Sequence, residues 1–148
     1  MKTIKGLLPN IEIRHMIDCQ ADGQAADTSA GVDLANYEGG MVVCAIGTVT
    51  STGTVTMKLQ QSSDDGATDT YADVKGSSVT VTNGSNKYLV VDLGSVSERY
   101  IRAIVTRATA NSILGSTTAY LYGANKMPVV QGTDVASSKS VVGEEGTA

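Results

Sequence analysis

Apolar and polar residues trade places with a period of two in one segment after another, and this constrains the chain more than any other feature. Val55, Met57 and Leu59 alternate with Thr54, Thr56, Lys58 and Gln60; Ile101, Ala103 and Val105 alternate with Tyr100, Arg102, Ile104 and Thr106. Period two sends successive side chains to opposite faces, so each run predicts a half-buried β-strand. The same rhythm marks 11–17, where Ile11, Ile13, His15 and Ile17 form the apolar side, as well as 79–82, 87–93 and 117–123. Val32-Asp33-Leu34 reads as a short edge strand. Met41 to Gly47 is apolar or small on both faces, which predicts a central strand covered on both sides or one at a subunit interface. No segment carries a 3.6-residue apolar stripe long enough for a buried helix.

Gly, Ser, Asn and Asp clusters punctuate these runs. Residues 21–30 and 62–71 read as polar loops, and 51–53, 94–98 and 111–115 as turns. Asn83-Gly84 is a strong hairpin signal, because both residue types tolerate positive φ. Strands at roughly 8–12-residue spacing predict an all-β, antiparallel sandwich or barrel of about eight strands. The 148 residues suit one domain, 41% of them are apolar, and Trp and Phe are absent. We therefore expect a β-sandwich over 11–127, an N-terminal arm or lead-in at 1–10, and a C-terminal extended arm at 128–148. That last stretch carries Val129, Val130, Val135, Val141 and Val142 among Gly, Ser and charges. It reads either as a disordered tail or as an arm that orders on a partner; the spaced valines favour the arm.

Several functions are disfavoured at this level. A net charge of -4 with scattered Lys and Arg lacks the basic stripe of a nucleic-acid-binding protein. No apolar run approaches the roughly 20 residues that span a bilayer. The start of the chain does not read as a secretion signal, since Pro9, Glu12 and Arg14 interrupt it. Cys19 and Cys44 are therefore expected to be reduced, small core residues, and Asn83-Gly84-Ser85 turn chemistry instead of a glycosylation acceptor. The single His, His15, is expected in the core or at an interface. Asp64, Asp65, Asp69 and Asp73 form a carboxylate cluster, which we read as a solvated loop; their spacing departs from a calcium loop, and a sugar cleft would want aromatic platforms. No nucleophile elbow, phosphate-binding loop or zinc helix motif occurs. We expect no enzymatic activity, no cofactor and no metal.

Two stretches carry a family resemblance. One is Val55-Thr56-Met57-Lys58-Leu59-Gln60-Gln61-Ser62-Ser63-Asp64-Asp65-Gly66 followed by Tyr71-Ala72-Asp73-Val74. The other is Leu93-Gly94-Ser95-Val96-Ser97-Glu98-Arg99-Tyr100-Ile101-Arg102-Ala103-Ile104-Val105-Thr106. A strand, a Ser-x-Asp-Gly loop and an aromatic-x-x-Val unit, then a Ser-x-Arg-Tyr-x-Arg strand, resemble the capsid decoration (cement) proteins of tailed bacteriophages over roughly residues 32–125. Tyr71 departs from the pattern, standing where such sandwiches often place a Trp. The resemblance implies a jelly-roll-like sandwich made in the host cytoplasm and bound to the outer capsid surface of a virion. Its partners would be the major capsid protein and further copies of itself, often as a homotrimer. The alternative is a carbohydrate- or receptor-binding sandwich of a virion fibre. Candidate contact residues are Ile4, Leu7 and Leu8, the five valines of the C-terminal arm, and Tyr100, Arg102, Ile104, Tyr120 and Tyr122. These last five lie on strand faces opposite the expected core, and Tyr and Arg are favoured at interface centres.

Overall fold

A computed structural model describes residues 6–141. A one-turn 3-10 segment at Leu8–Asn10 leads into eleven strands. These are β1 (Ile11–Ile17), β2 (Gln20–Gly23), β3 (Ala26–Thr28), β4 (Val32–Asp33), β5 (Gly39–Val49), β6 (Thr54–Ser62), β7 (Ala72–Asp73), β8 (Val79–Thr82), β9 (Tyr88–Leu93), β10 (Tyr100–Ala108) and β11 (Ser112–Tyr122). Every pairing is antiparallel. The front sheet runs β1-β11-β5-β9, with β2 also on β11; the back sheet runs β3-β10-β6-β7, with β4 also on β10 and β8 also on β6.

Three strand positions are thus interrupted segments sharing one neighbour, and the eleven segments fill eight positions. Numbered along the chain, the positions read 1-8-3-6 in front and 2-7-4-5 behind. That is the double Greek-key order of a jelly roll. The sandwich expected from the alternation is present, with its core between the sheets. Val42, Cys44, Leu121 and Ala119 meet Val55, Met57, Leu59, Ile101, Ala103 and Val105, all fully buried. Aliphatic side chains and methionine fill the layer, and no Trp or Phe is there to thicken it.

Four local expectations change. Asn83-Gly84 does not close a hairpin: β8 pairs β6 at the back and β9 pairs β5 in front, so the chain crosses between sheets. Asn83 does take positive φ, at 53°. Its side chain accepts from Thr52 N–H at 2.7 Å and its own N–H donates to Gly53 carbonyl at 3.0 Å, docking the crossing on the β5–β6 turn. Residues 21–30 are a corner containing β2 and β3 instead of a plain loop. The expected turn at 111–115 falls earlier, around Thr109 at φ 70°, and β11 absorbs 112–117 through irregular register.

The fourth change concerns β1. Ile13 pairs with Tyr120, whose chain neighbours Ala119 and Leu121 face the core. Paired residues share a face, so the apolar side of β1 looks outward. A bulge between His15 and Ile17 then reverses the phase and buries Met16 and Ile17. His15 is exposed on the outer face instead of buried, with its ring 2.7 Å from Asp18. Cys19 is likewise exposed, whereas Cys44 is buried; both thiols are free, and burial pushes that of Cys44 up.

Candidate functional site

The two outer faces differ in polarity. On the back sheet, β6 presents Thr54, Thr56, Lys58 and Gln60, and β8 adds Thr80 and Thr82. These groups are engaged with one another. Thr56 and Thr80 hydroxyls lie 2.8 Å apart, Lys58 reaches Asp73 at 2.8 Å, and Arg102 donates to Gln60 at 2.9 Å. Arg102 also lies over the Tyr71 ring, 4.1 Å from its centre. Tyr71 donates to Asp65, and burial together with that carboxylate holds its phenol well above the usual range.

On the front sheet the register sets Ile13, Tyr120, Met41 and Asp92 in one row, and His15, Thr118, Val43 and Val90 in the next. Ala45 pairs with Tyr88, and Ile113 leans against Gly47. Val90 is 46% exposed and Tyr88 69%. A sheet face that meets water ordinarily alternates to polar residues, as the back sheet does. The front sheet instead carries Ile13, Met41, Val43, Val90 and Tyr120 on its outer side, half-buried to exposed, with Thr118 among them and His15 and Asp92 at the ends of the rows. Tyr122 braces it. Its ring lies across Gly39, where a Cβ would come within 2.9 Å of it, and its hydroxyl donates to Asp92 on β9. Burial, then that hydrogen bond, pushes the Tyr122 phenol up to about 12.

Tyr100, Arg102 and Ile104 lie on the back face and Tyr120 and Tyr122 on the front. The structure does not unite them in one surface. Leu7 and Leu8 stand beside the start of β1, with Leu7 exposed. Ile4 and Val142 fall outside the described residues.

Among the described residues the C-terminal segment forms no strand, yet it is not free of the sandwich. Val129 N–H donates to Pro9 carbonyl at 2.9 Å. The Gln131 side chain accepts from Ile13 N–H at 3.0 Å and donates to the carbonyls of Ile11 at 2.6 Å and Leu8 at 3.2 Å. Asp134 accepts from His15 N–H at 3.0 Å and pairs with Arg14 at 3.2 Å. Residues 129–134 therefore run alongside the open edge of β1 and cap it with side chains. Val129 and Val135 are half-buried, while Val130 is 83% and Val141 72% exposed. Gln131 and Asp134 escape sequence reasoning, because a polar residue in a polar segment carries no periodic signal. The front face was partly legible in the two-sided apolarity of 41–47.

The carboxylate cluster is a loop brace. Asp64 accepts from Thr68 Oγ1 at 2.5 Å and N–H at 2.8 Å, and from Ala67 N–H at 3.1 Å. Ser62, fully buried, donates to Asp69 carbonyl at 2.7 Å, and Asp69 in turn accepts from Ser63. Among the described residues no group of three or more His, Cys, Asp or Glu is placed to hold a metal. The Thr68 hydroxyl, then backbone N–H groups, hold the Asp64 carboxyl down at about 2. A depressed carboxyl favours the folded loop above its unfolded pKa of roughly 3.9, and this support is lost as pH falls through about 2. Carboxyl-detected NMR titration should place the Asp64 midpoint near 2, and Thr68→Val should raise it. A midpoint in the ordinary carboxylate range would show that the brace does not form.

Neither a known family model nor a curated protein matches the chain. No helix among the described residues is long and apolar enough to cross a membrane.

Proposed function

We propose that this chain is a structural virion protein, a capsid decoration protein that binds the outer surface of an assembled phage shell and stabilises it. The observation that carries the proposal is the asymmetry of the sandwich: Met41, Val43, Val90 and Tyr120 make the front face the more apolar, whereas Thr residues and engaged polar groups predominate on the back beside Tyr100 and Ile104. An apolar face of this kind marks a contact surface. The arm adds exposed valines from the β1 edge of the same sheet. A molecule that binds only the assembled shell stabilises it by mass action, and many copies acting together turn weak contacts into retention. The partners in this reading are the major capsid protein and further copies of the chain, three to a unit as the family resemblance implies. Synthesis is in the host cytoplasm and the final location is the outside of the virion. The fibre reading draws less support, because Arg102 already occupies one face of the Tyr71 ring, the nearest thing to a sugar platform.

The test is attachment to purified shells. Met41→Lys with Val43→Lys should preserve the sandwich, since both side chains point away from the core, and should weaken shell binding by more than about tenfold, the equivalent of one lost apolar contact. Thr56→Lys with Thr80→Lys on the back face should leave binding unchanged. Equal binding by the front-face variant, or binding of glycans in place of shells by the native chain, would defeat the proposal.

A further inference from the structure

The four edges of the sandwich are not treated alike. In the back sheet the edge strands are short, from two residues in β4 and β7 to four in β8. In the front sheet β1 is capped along its length by Gln131 and Asp134. Short strands and covering segments are the usual protections against unwanted pairing. β9 has neither. It is six residues long, Tyr-Leu-Val-Val-Asp-Leu, with no Pro and a single charge near its end.

The ladder shows which groups are open. Ile46 N–H donates to Lys87 carbonyl, which makes 46 and 87 a hydrogen-bonded pair, so 89, 91 and 93 also bond to β5. The N–H and C=O groups of Tyr88, Val90 and Asp92 therefore point away from β5, and none has a partner among the described residues. Their side chains lie on the apolar outer face.

We infer that β9 is a self-pairing edge: two copies of this chain join by antiparallel main-chain pairing of Tyr88 to Asp92 about a two-fold axis at Val90. In this register Val90 faces Val90, and Tyr88 of each copy faces Asp92 of the other. Each of these residues exchanges both its N–H and its C=O, so every open group on the edge is used. Shifting the strands by two residues leaves some of them unpaired. The register also keeps like charges apart: the two Asp92 carboxylates stand roughly 14 Å from each other at strand spacing. On the axis Val90 faces Val90, an apolar pair, and no like charges stand directly opposite one another. The product is one continuous sheet running β1-β11-β5-β9 and then the same order reversed, with the apolar outer face doubled in extent.

This contact is independent of the shell reading, because it forms between free chains; being two-fold, it makes dimers or links larger units in pairs. The experiment is sedimentation velocity on the purified chain from micromolar to millimolar concentration, with reductant present because Cys19 is exposed, together with amide hydrogen exchange under the same conditions. The dimer fraction should rise with concentration. The amides of Tyr88, Val90 and Asp92 should slow more than about tenfold in the dimer, while those of Leu89 and Val91 are protected in both states. Val90→Lys, which sets two ammonium groups on the axis at a partly exposed site, should abolish the dimer, and Val90→Thr should retain it. A monomer at every concentration, a dimer in which those three amides still exchange freely, or a dimeric Val90→Lys variant would each overturn the inference.

Discussion

Arg107→Ala is expected to lower the unfolding free energy by about 3–5 kcal/mol, the range for removing one partner from a buried charged network. Arg107 pairs with Val55 across β10 and β6 and so points inward, where it is 4% exposed. Its guanidinium donates to the carbonyls of Ala21 at 2.7 Å, Ser112 at 2.9 Å and Ala25 at 3.2 Å, and reaches Asp27 at 3.5 Å. One side chain therefore holds the β2–β3 corner to the start of β11. Alanine would strip these carbonyls of a donor and leave a void, and each buried group left unsatisfied costs about 1–3 kcal/mol. For a domain of this size the melting temperature should fall by roughly 10 °C or more. Arg107→Lys should fall in between, keeping the charge but losing the planar fork. Urea unfolding followed by circular dichroism measures both; an alanine variant within about 0.5 kcal/mol of the native chain would mean that other donors serve the corner.

The second large effect concerns the arm. On the proposed shell-binding function, deleting residues 129–148 should leave the sandwich folded while reducing shell attachment about a hundredfold, the equivalent of losing two valines at roughly 1.5 kcal/mol each. The deletion also removes Gln131 and Asp134, so the amides of Ile13 and His15 should exchange faster and β1 should become a sticky edge. Gln131→Ala with Asp134→Ala separates the two roles. That variant loses the cap but keeps the valines, so it should loosen β1 and retain most of the attachment. Unchanged attachment after the full deletion would assign the segment to edge protection alone and leave the front face as the sole contact surface.

The expectation of an arm that stays mobile until it meets a partner needed revision for a physical reason. Ordering a backbone residue costs roughly 1–2 kcal/mol, and valines without a partner cannot offset that. What holds 129–134 in place is the unmet hydrogen-bonding demand of β1, satisfied by an amide and a carboxylate from over a hundred residues away. Sequence periodicity has no access to such pairings. Arg107 is different, since its clue was visible: it continues the apolar phase of Ile101, Ala103 and Val105, where an arginine is tolerated only with its donors engaged.

That this is an all-β sandwich with about eight strand positions, and where most of them lie, was legible in the residues alone. Period two and turn chemistry are local properties, written within each strand and within each Gly-, Asn- or Asp-containing turn. The inward set on β6 and β10 was legible too, because Val55, Met57 and Leu59 on the one and Ile101, Ala103 and Val105 on the other make a single apolar side. Packing settled which side faces the core in β5, where both sides are apolar, and in β1, where the apolar side turns outward until the bulge buries Met16 and Ile17. Alternation gives two faces without a sign, and the sign comes from which sheet closes over them. The tertiary structure likewise decided that Asn83-Gly84 spans two sheets instead of closing one hairpin. A positive φ bends the chain, but the strand that receives it is chosen by pairing with β5 and β6, far away along the chain.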